Sequence, residues 1–172
     1  DPIEHYKARI KEESSMTNKL TRYGLPVTQQ AALTEVYDLI GIRVVVTLIS
    51  DIYAFVEAVE NTDIEIITIK DYVKNPKPNG YRSVHLIVRL PIGVEGVTEN
   101  LYAEIQIRTI AMDCWASLEH QLKYKKDFLE NVDLIEEELR RCAAEIAATD
   151  LALESIKDMI DQQERLEAAG NY

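Results

Sequence analysis

The chain has 172 residues, of which 19 are Lys or Arg and 30 are Asp or Glu, for a formal net charge of -11. That length, with a hydrophobic content of 47%, allows one domain, or one domain with an appendage, around a real core. A sequence pI near 4.8 excludes a general polyanion-binding surface, and no apolar run reaches the length that spans a bilayer. Any phosphate binding must therefore be local. Asp1 is not an initiator residue and no leader pattern follows it, so residues are expected upstream. Cys114 and Cys142 fall in predicted helices without metal-type spacing and read as reduced thiols in a cytoplasmic protein.

The first segment, IEHYKARIK, alternates: His5, Lys7, Arg9 and Lys11 share one parity, and Tyr6, Ala8 and Ile10 the other. This predicts a half-buried strand with a basic face. Ser14 or Ser15 can cap a following helix that carries Met16, Lys19 and Leu20 and ends at Gly24. A strand entering a helix N-terminus suits an anion, and Lys19 lies on the same side as Ser15; a plain amphipathic element is the other reading. Gln29 to Val36 predicts a short helix. Asp38 and the run LIGIRVVVTLI come next, a β-branched central strand expected to be buried on both faces. Arg43 inside that strand must pair with an acid or face a cleft. Asp38 is a candidate partner, a candidate metal ligand or a simple cap.

Ser50 or Asp51 can cap the next helix, which has Ile52, Phe55, Val56 and Val59 on one face. Residues 64–69 predict a strand that delivers Lys70 into the loop KDYVKNPKPNGYRSVH. Lys70, Lys74, Lys77 and Arg82 stand there against Asp71 alone. Pro76 and Pro78 stiffen the loop, Asn79-Gly80 turns it and lets its backbone approach a ligand, and Tyr81 offers a stacking face. A solvated turn is the competing reading of the same charges. Ser83 to Leu90 predicts the next strand, with Val84, Leu86 and Val88 on one face and Ser83 and His85 on the other.

After a predicted turn at Ile92–Asn100, LYAEIQIR alternates cleanly: Tyr102, Glu104, Gln106 and Arg108 face one way, Ala103, Ile105 and Ile107 the other. The polar set either meets water or lines a cleft floor. If the sheet brings Glu104 beside Asp38, two carboxylates share a small space and want a divalent cation, magnesium with a nucleotide phosphate fitting best. Thr109 can cap a helix through Trp115, a core candidate, with Glu119 and His120 ambiguous. Lys123, Lys125 and Lys126 make a second basic patch. Val132 to Leu166 is helical and acidic, with a seam of Ile135, Leu139, Cys142, Ile146, Thr149, Leu153, Ile156 and Ile160 at alternating spacings of four and three. That helix packs back on the domain, joins subunits, or does both. The element order suggests a mixed sheet with helices on one side.

The stretches YDLIGIRVVV, KDYVKNPKPNGYRSVHL and AEIQIRTIAMDCWASLEHQLKYKK, with ARIKEESSMTNKL more weakly, resemble the synthetase domain of the RelA/SpoT superfamily, and above all its single-domain small alarmone synthetases. Ala8 and EESS depart from the family's usual glycine and SPES. The resemblance implies an α+β fold: a mixed five-stranded, nucleotidyltransferase-like sheet flanked by helices, with a catalytic domain at 1–128 and long C-terminal helices at 129–172 for oligomerisation. It implies a magnesium-dependent GTP pyrophosphokinase that moves pyrophosphate from ATP to the 3′-hydroxyl of GDP or GTP, giving ppGpp or pppGpp and AMP in the stringent response, without hydrolase activity. In these terms Asp38 holds magnesium, and Glu104 shares it or accepts the hydroxyl proton. Arg9 and Arg43 sandwich adenine, and Lys11, Ser15 and Lys19 meet the ATP phosphates. Tyr81 stacks on guanine, while Lys77, Asn79, His85 and Gln106 place the acceptor. A cytoplasmic homotetramer built through terminal helices is implied, with alarmone product or single-stranded RNA as further ligands. The sequence leaves open the choice between GDP and GTP. Another nucleotidyltransferase, which would release pyrophosphate rather than AMP, and a catalytically silent nucleotide sensor or scaffold are the competing readings.

Overall fold

The structure, a computed structural model, describes residues 2–94, 97–125 and 130–170. In chain order they form β1 (Ile3–Ile10), α1 (Glu13–Arg22), α2 (Gln29–Glu35), β2 (Ile40–Val46), α3 (Ile49–Glu60), β3 (Glu65–Asp71), β4 (Val84–Val94), β5 (Val97–Thr109), α4 (Ile110–Lys125) and α5 (Val132–Gly170). This is the element order that the sequence predicts. Among the described residues the strands make one five-stranded sheet, ordered β1-β2-β5-β4-β3. β2 and β5 run parallel, and the other neighbours are antiparallel. Parallel neighbours need a crossover connection, here the excursion through α3, β3 and β4. The fold is α+β, a mixed sheet flanked by helices.

Strand alternation sorts the sheet into two faces. Val44 and Val46 of β2, Val84, Leu86 and Val88 of β4, and Ala103, Ile105 and Ile107 of β5 form the apolar face, packed on Ile52, Val56 and Val59 of α3. The opposite face carries Arg43, His85, Glu104, Gln106 and Arg108. Met16 and Leu20 of α1 close a smaller cluster with Ala31 and Ala32 of α2 and with Val36.

Several local expectations need correction. β1 is exposed on both faces, with Tyr6 and Ile10 each 74% accessible, because it is an edge strand and its apolar parity lies beyond the reach of α3. β2 is fully buried only over Val44–Val46; its first half is partly exposed. Ser14 and Ser15 lie inside the first turn of α1, whose N-cap is Glu12 without a side-chain bond. The N-cap of α3 is Leu48, and Asp51 acts from inside the helix by accepting from its backbone N–H. Much of the expected turn at 92–100 is strand, since β4 runs to Val94 and β5 begins at Val97. Thr109 does cap α4, its hydroxyl oxygen accepting from the Met112 N–H at 3.2 Å. Lys126 and the join between residues 128 and 129 lie outside the described residues.

α5 is one helix of 39 residues. Its first half packs back on the domain. Leu139, Cys142 and Ile146 lie against Trp115, Ala116 and Ala143, and Trp115 Nε1 donates to the Leu139 carbonyl at 2.7 Å. Further along, Thr109 Oγ1 donates to Asp150 at 2.8 Å, and Glu154 accepts from the Ser50 N–H at 3.0 Å. From Leu151 onward, the apolar residues Leu151, Leu153, Ile156, Met159 and Ile160 are exposed.

Candidate active site

The polar sheet face is assembled by register. Arg9 of β1 pairs with Gly41 of β2, and Gly41 with Glu104 of β5. Lys7 pairs with Arg43, Arg43 with Gln106, and Gln106 with His85 of β4. Gly41 leaves room for its neighbour: a Cβ there would lie 3.7 Å from Arg9 Cγ. Arg9 and Arg43 are thus diagonal neighbours on the face that holds Glu104.

At one end, Lys11 continues the parity of Lys7 and Arg9 and reaches Asp38. Lys11 Nζ donates to Asp38 Oδ2 at 2.8 Å, and Lys19 Nζ to Oδ1 at 2.5 Å. Burial pushes the Asp38 carboxyl up, but the two lysines together outweigh it and hold the group below its ordinary value. Asp38 is therefore ionised at neutral pH. A cleft of about 390 Å³ is lined by Lys11, Ser15, Asn18, Lys19, Arg22 and Asp38, gathering all three residues expected at the ATP phosphates. Asn18 and Arg22 were not anticipated. Asp38 is not the partner of Arg43; that partner is Asp113 of α4, whose Oδ1 lies 3.4 Å from Arg43 Nη1.

Towards β4 the side chains form a connected chain. Arg108, almost fully buried, donates from Nη1 to Asp113 at 2.9 Å and from Nη2 to the Tyr81 oxygen at 2.7 Å and to Gln106 Oε1 at 2.8 Å. Gln106 Nε2 donates to Glu104 Oε1 at 2.5 Å. The Tyr81 oxygen lies 2.8 Å from His85 Nε2. The Tyr81 oxygen thus accepts from Arg108 and shares a hydrogen bond with His85 Nε2, the imidazole tautomer setting which of the two donates. His85 Nδ1 lies 3.7 Å from Glu104. Burial pushes the imidazole down to about 4; Glu104 pulls it up, and Arg108, Lys77 and Lys70 push it down again. His85 is neutral at physiological pH.

The loop between β3 and β4 is knotted by its one acid. Asp71 accepts from the N–H groups of Val73 and Lys74 and from the Tyr53 hydroxyl. Lys77 Nζ sits 4.6 Å from the Tyr72 ring centre and 4.8 Å from that of Tyr81, and Arg108 lies 5.2 Å from the latter. A base stacking on Tyr81 therefore takes a place that Lys77 now covers. Asn79 is tied to Glu119 and to the Tyr81 N–H. Gly80 is needed at φ +93° for packing as well as for the turn. A Cβ there would come within 2.6 Å of the Ala143 Cβ, because α5 is seated against the loop.

All the predicted site residues except Ser15 are thus connected to one another or to the polar face by contacts or strand register, and Ser15 lines the cleft. Arg108, Asp113 and Tyr72 were missed. For Arg108 the signal was present, since it shares the parity of Glu104 and Gln106. Asp113 gave none beyond an acid in the first turn of a helix.

Two carboxylates, Asp38 and Glu104, supply hard oxygen donors of the kind magnesium takes. Glu104 pairs across with Gly41, three residues past Asp38, and Tyr37 packs at 4.6 Å on Tyr102, so both acids belong to the same end of the β2–β5 pair. Among the described residues no group of three or more His, Cys, Asp or Glu side chains is placed to hold a metal ion. The residues fit a cation whose shell is completed by phosphate and water, and not a cage made by protein alone.

Fold and charge together define an α+β domain with a cleft that carries Lys11, Lys19 and Arg22. The chain belongs to the RelA/SpoT family: the region found in RelA / SpoT proteins matches over residues 8–128. GTP pyrophosphokinase YwaC of Bacillus subtilis is 48% identical over 126 residues, which are 73% of this chain and 60% of that protein. The chain therefore spans less than two thirds of that relative's length. The crystal structure of small alarmone synthetase 2 from Bacillus subtilis superposes with a TM-score of 0.83 at 41% identity, over 92% of this chain and 83% of that one. Small alarmone synthetase 1 from the same organism, bound to its product pppGpp, gives 0.81 at 29% identity, over 92% and 80%.

Proposed function

We propose that this chain is a GTP pyrophosphokinase that makes ppGpp or pppGpp by moving pyrophosphate from ATP to the 3′-hydroxyl of GDP or GTP. The observation that carries the reading is the position of Glu104. It sits between the Lys11–Lys19–Asp38 cleft with Arg9 and Arg43 on one side and the Tyr81–His85 pair on the other. Two nucleotides bound in those places would meet at this carboxylate.

Arg9 and Arg43 offer two guanidinium planes for adenine. Lys11 and Lys19 meet the triphosphate, which gives them an alternative to Asp38. Tyr81 stacks on guanine, while Lys77, Asn79, His85 and Gln106 orient the acceptor and its phosphates. Glu104 takes the proton of the 3′-hydroxyl as its oxygen attacks the β-phosphorus of ATP. The bond from that phosphorus to the oxygen of the α-phosphate breaks, and AMP leaves. Positioning and charge neutralisation do most of the work in such a transfer. Asp38 and Glu104 would hold magnesium, which when bound neutralises charge on the transferred group.

The C-terminal segment 129–172 is read as an oligomerisation extension of a cytoplasmic homotetramer. The exposed Leu151, Leu153, Ile156, Met159 and Ile160 support the oligomerisation reading. Among the described residues no helix is long and apolar enough to cross a membrane. Light scattering of the purified chain gives the mass. The catalytic reading is tested by incubating it with labelled ATP and each guanine nucleotide, with and without magnesium. AMP and a guanosine tetra- or pentaphosphate are expected. Pyrophosphate release would mean a different nucleotidyltransferase, and no turnover a silent sensor.

A further inference from the structure

We infer that Asp113 is a positioning residue that couples the two nucleotide subsites, so that filling one tightens the other. The inference rests on the reading above, in which Arg43 belongs to the ATP side and Tyr81 to the guanine side. One oxygen, Asp113 Oδ1, serves two cations: Arg108 Nη1 at 2.9 Å and Arg43 Nη1 at 3.4 Å. The two claims are unequal. The Arg108 side chain is 6% exposed, and its Nε is buried with no partner, so Asp113 is the acid that keeps this guanidinium neutralised inside the protein. The Arg43 side chain is 39% exposed, so water screens its attraction and it can leave at small cost.

The consequence follows from sharing one charge. When a purine or phosphate draws Arg43 away, Asp113 turns wholly to Arg108. The remaining N–H groups of Arg108 hold the Tyr81 oxygen and Gln106 Oε1, and through Gln106 they hold Glu104. Tightening Arg108 therefore orders the ring and the amide that the acceptor nucleotide meets. In reverse, a guanine nucleotide that settles Tyr81 and Arg108 draws Asp113 from Arg43 and frees that plane for adenine. Coupling between binding sites is reciprocal by thermodynamic necessity, and factors of about five or more are ordinary.

The test is calorimetric titration of the full chain with the non-hydrolysable α,β-methylene analogue of ATP and with GDP, each alone and each with the other saturating. Each ligand is expected to bind about fivefold more tightly when the other is present. In Asp113→Asn both ligands still bind alone, but the ratio falls to about one. Asp113→Glu, which keeps the charge, restores part of it. A loss of general stability would weaken each affinity without erasing their interdependence, so the ratio isolates the proposal. Arg43→Ala removes the exposed end of the bridge with Asp113 intact, and it too should uncouple the sites if Asp113→Asn does not fold. Wild-type coupling retained in Asp113→Asn or in Arg43→Ala, or independent binding in the wild type, would overturn the inference while leaving the functional reading standing. Binding of neither ligand by the wild type would overturn the functional reading first and this inference with it.

Discussion

The oxygen of Tyr81 lies 2.8 Å from Nε2 of His85 and accepts from Arg108 on its other side. The ring and the hydroxyl of Tyr81 therefore have separate tasks, and two substitutions separate them. Tyr81→Ala removes the stacking surface and should raise the KM for GDP or GTP about tenfold, since stacking a base on an aromatic ring is worth about 1–3 kcal/mol. Tyr81→Phe keeps the ring and removes the hydroxyl that joins Arg108 to His85. Its KM should stay within about threefold while kcat drops by about tenfold, the loss of roughly one hydrogen bond to an oriented group. Steady-state kinetics of the pair decide the matter; identical changes in both variants would mean that guanine sits elsewhere.

Glu104 accepts from Gln106 and lies 3.7 Å from His85 Nδ1. Glu104→Gln keeps the size and loses the proton acceptor. Nucleotide binding should survive, and turnover should fall by about a hundredfold or more, the usual worth of a positioned base. Rapid-quench measurement of AMP formation is the check. Full activity in this variant would remove Glu104 from the mechanism.

Asp150 of α5 is buried and accepts from the Thr109 hydroxyl. Burial pushes its carboxyl above the ordinary value, against the downward pull of Thr109 and Arg82. Between the ordinary carboxyl value and the raised one, the folded chain holds a proton that the unfolded chain has released. Stability contributed by this group is thus largest at acid pH and is lost as pH rises through that window. Asp150→Asn keeps the acceptor and removes the charge. Its stability relative to wild type should be higher at pH 7 than at pH 4. Urea denaturation at both values measures this, and a difference that does not change with pH would mean that Asp150 titrates as an exposed acid.

The placing of Lys11, Ser15 and Lys19 together followed from the family resemblance, whereas element order and the apolar faces of β4 and β5 were legible because alternation and helical spacing are local signals. The exposure of β1 was not, since Tyr6, Ala8 and Ile10 obey the same alternation as a covered strand; only the extent of α3 decides that they stay open. The partner of Arg43 was not legible either. Asp38 is near in sequence, yet its two oxygens are taken by lysines, and the acid that reaches Arg43 lies 70 positions further on, in α4. Gly80 shows the same limit. Its turn could be read from Asn79-Gly80, but what presses against it comes from a helix more than sixty residues later.

Gly80 and Ala143 hold the loop against α5, and Trp115, the chain's single tryptophan, lies beside them, its Cζ2 3.7 Å from where a Gly80 Cβ would sit. Trp115 is 3% exposed, donates to the Leu139 carbonyl of α5, and has its ring centre 6.5 Å from that of Tyr81. Gly80→Ala puts a methyl group into the Ala143 contact and strains the backbone at φ +93°. Strain and overpacking each cost about 1–3 kcal/mol, so the variant should lose at least about 2 kcal/mol or release α5 from the domain. Release would open Trp115 to water, and its emission should shift to the red with the sheet intact by circular dichroism. GDP added to the wild type should change the same emission, because a base placed on Tyr81 displaces Lys77 from the ring next to Trp115, whereas the ATP analogue alone should change it less. An unshifted emission in Gly80→Ala at unchanged stability would mean that the loop and the helix are not coupled through this contact.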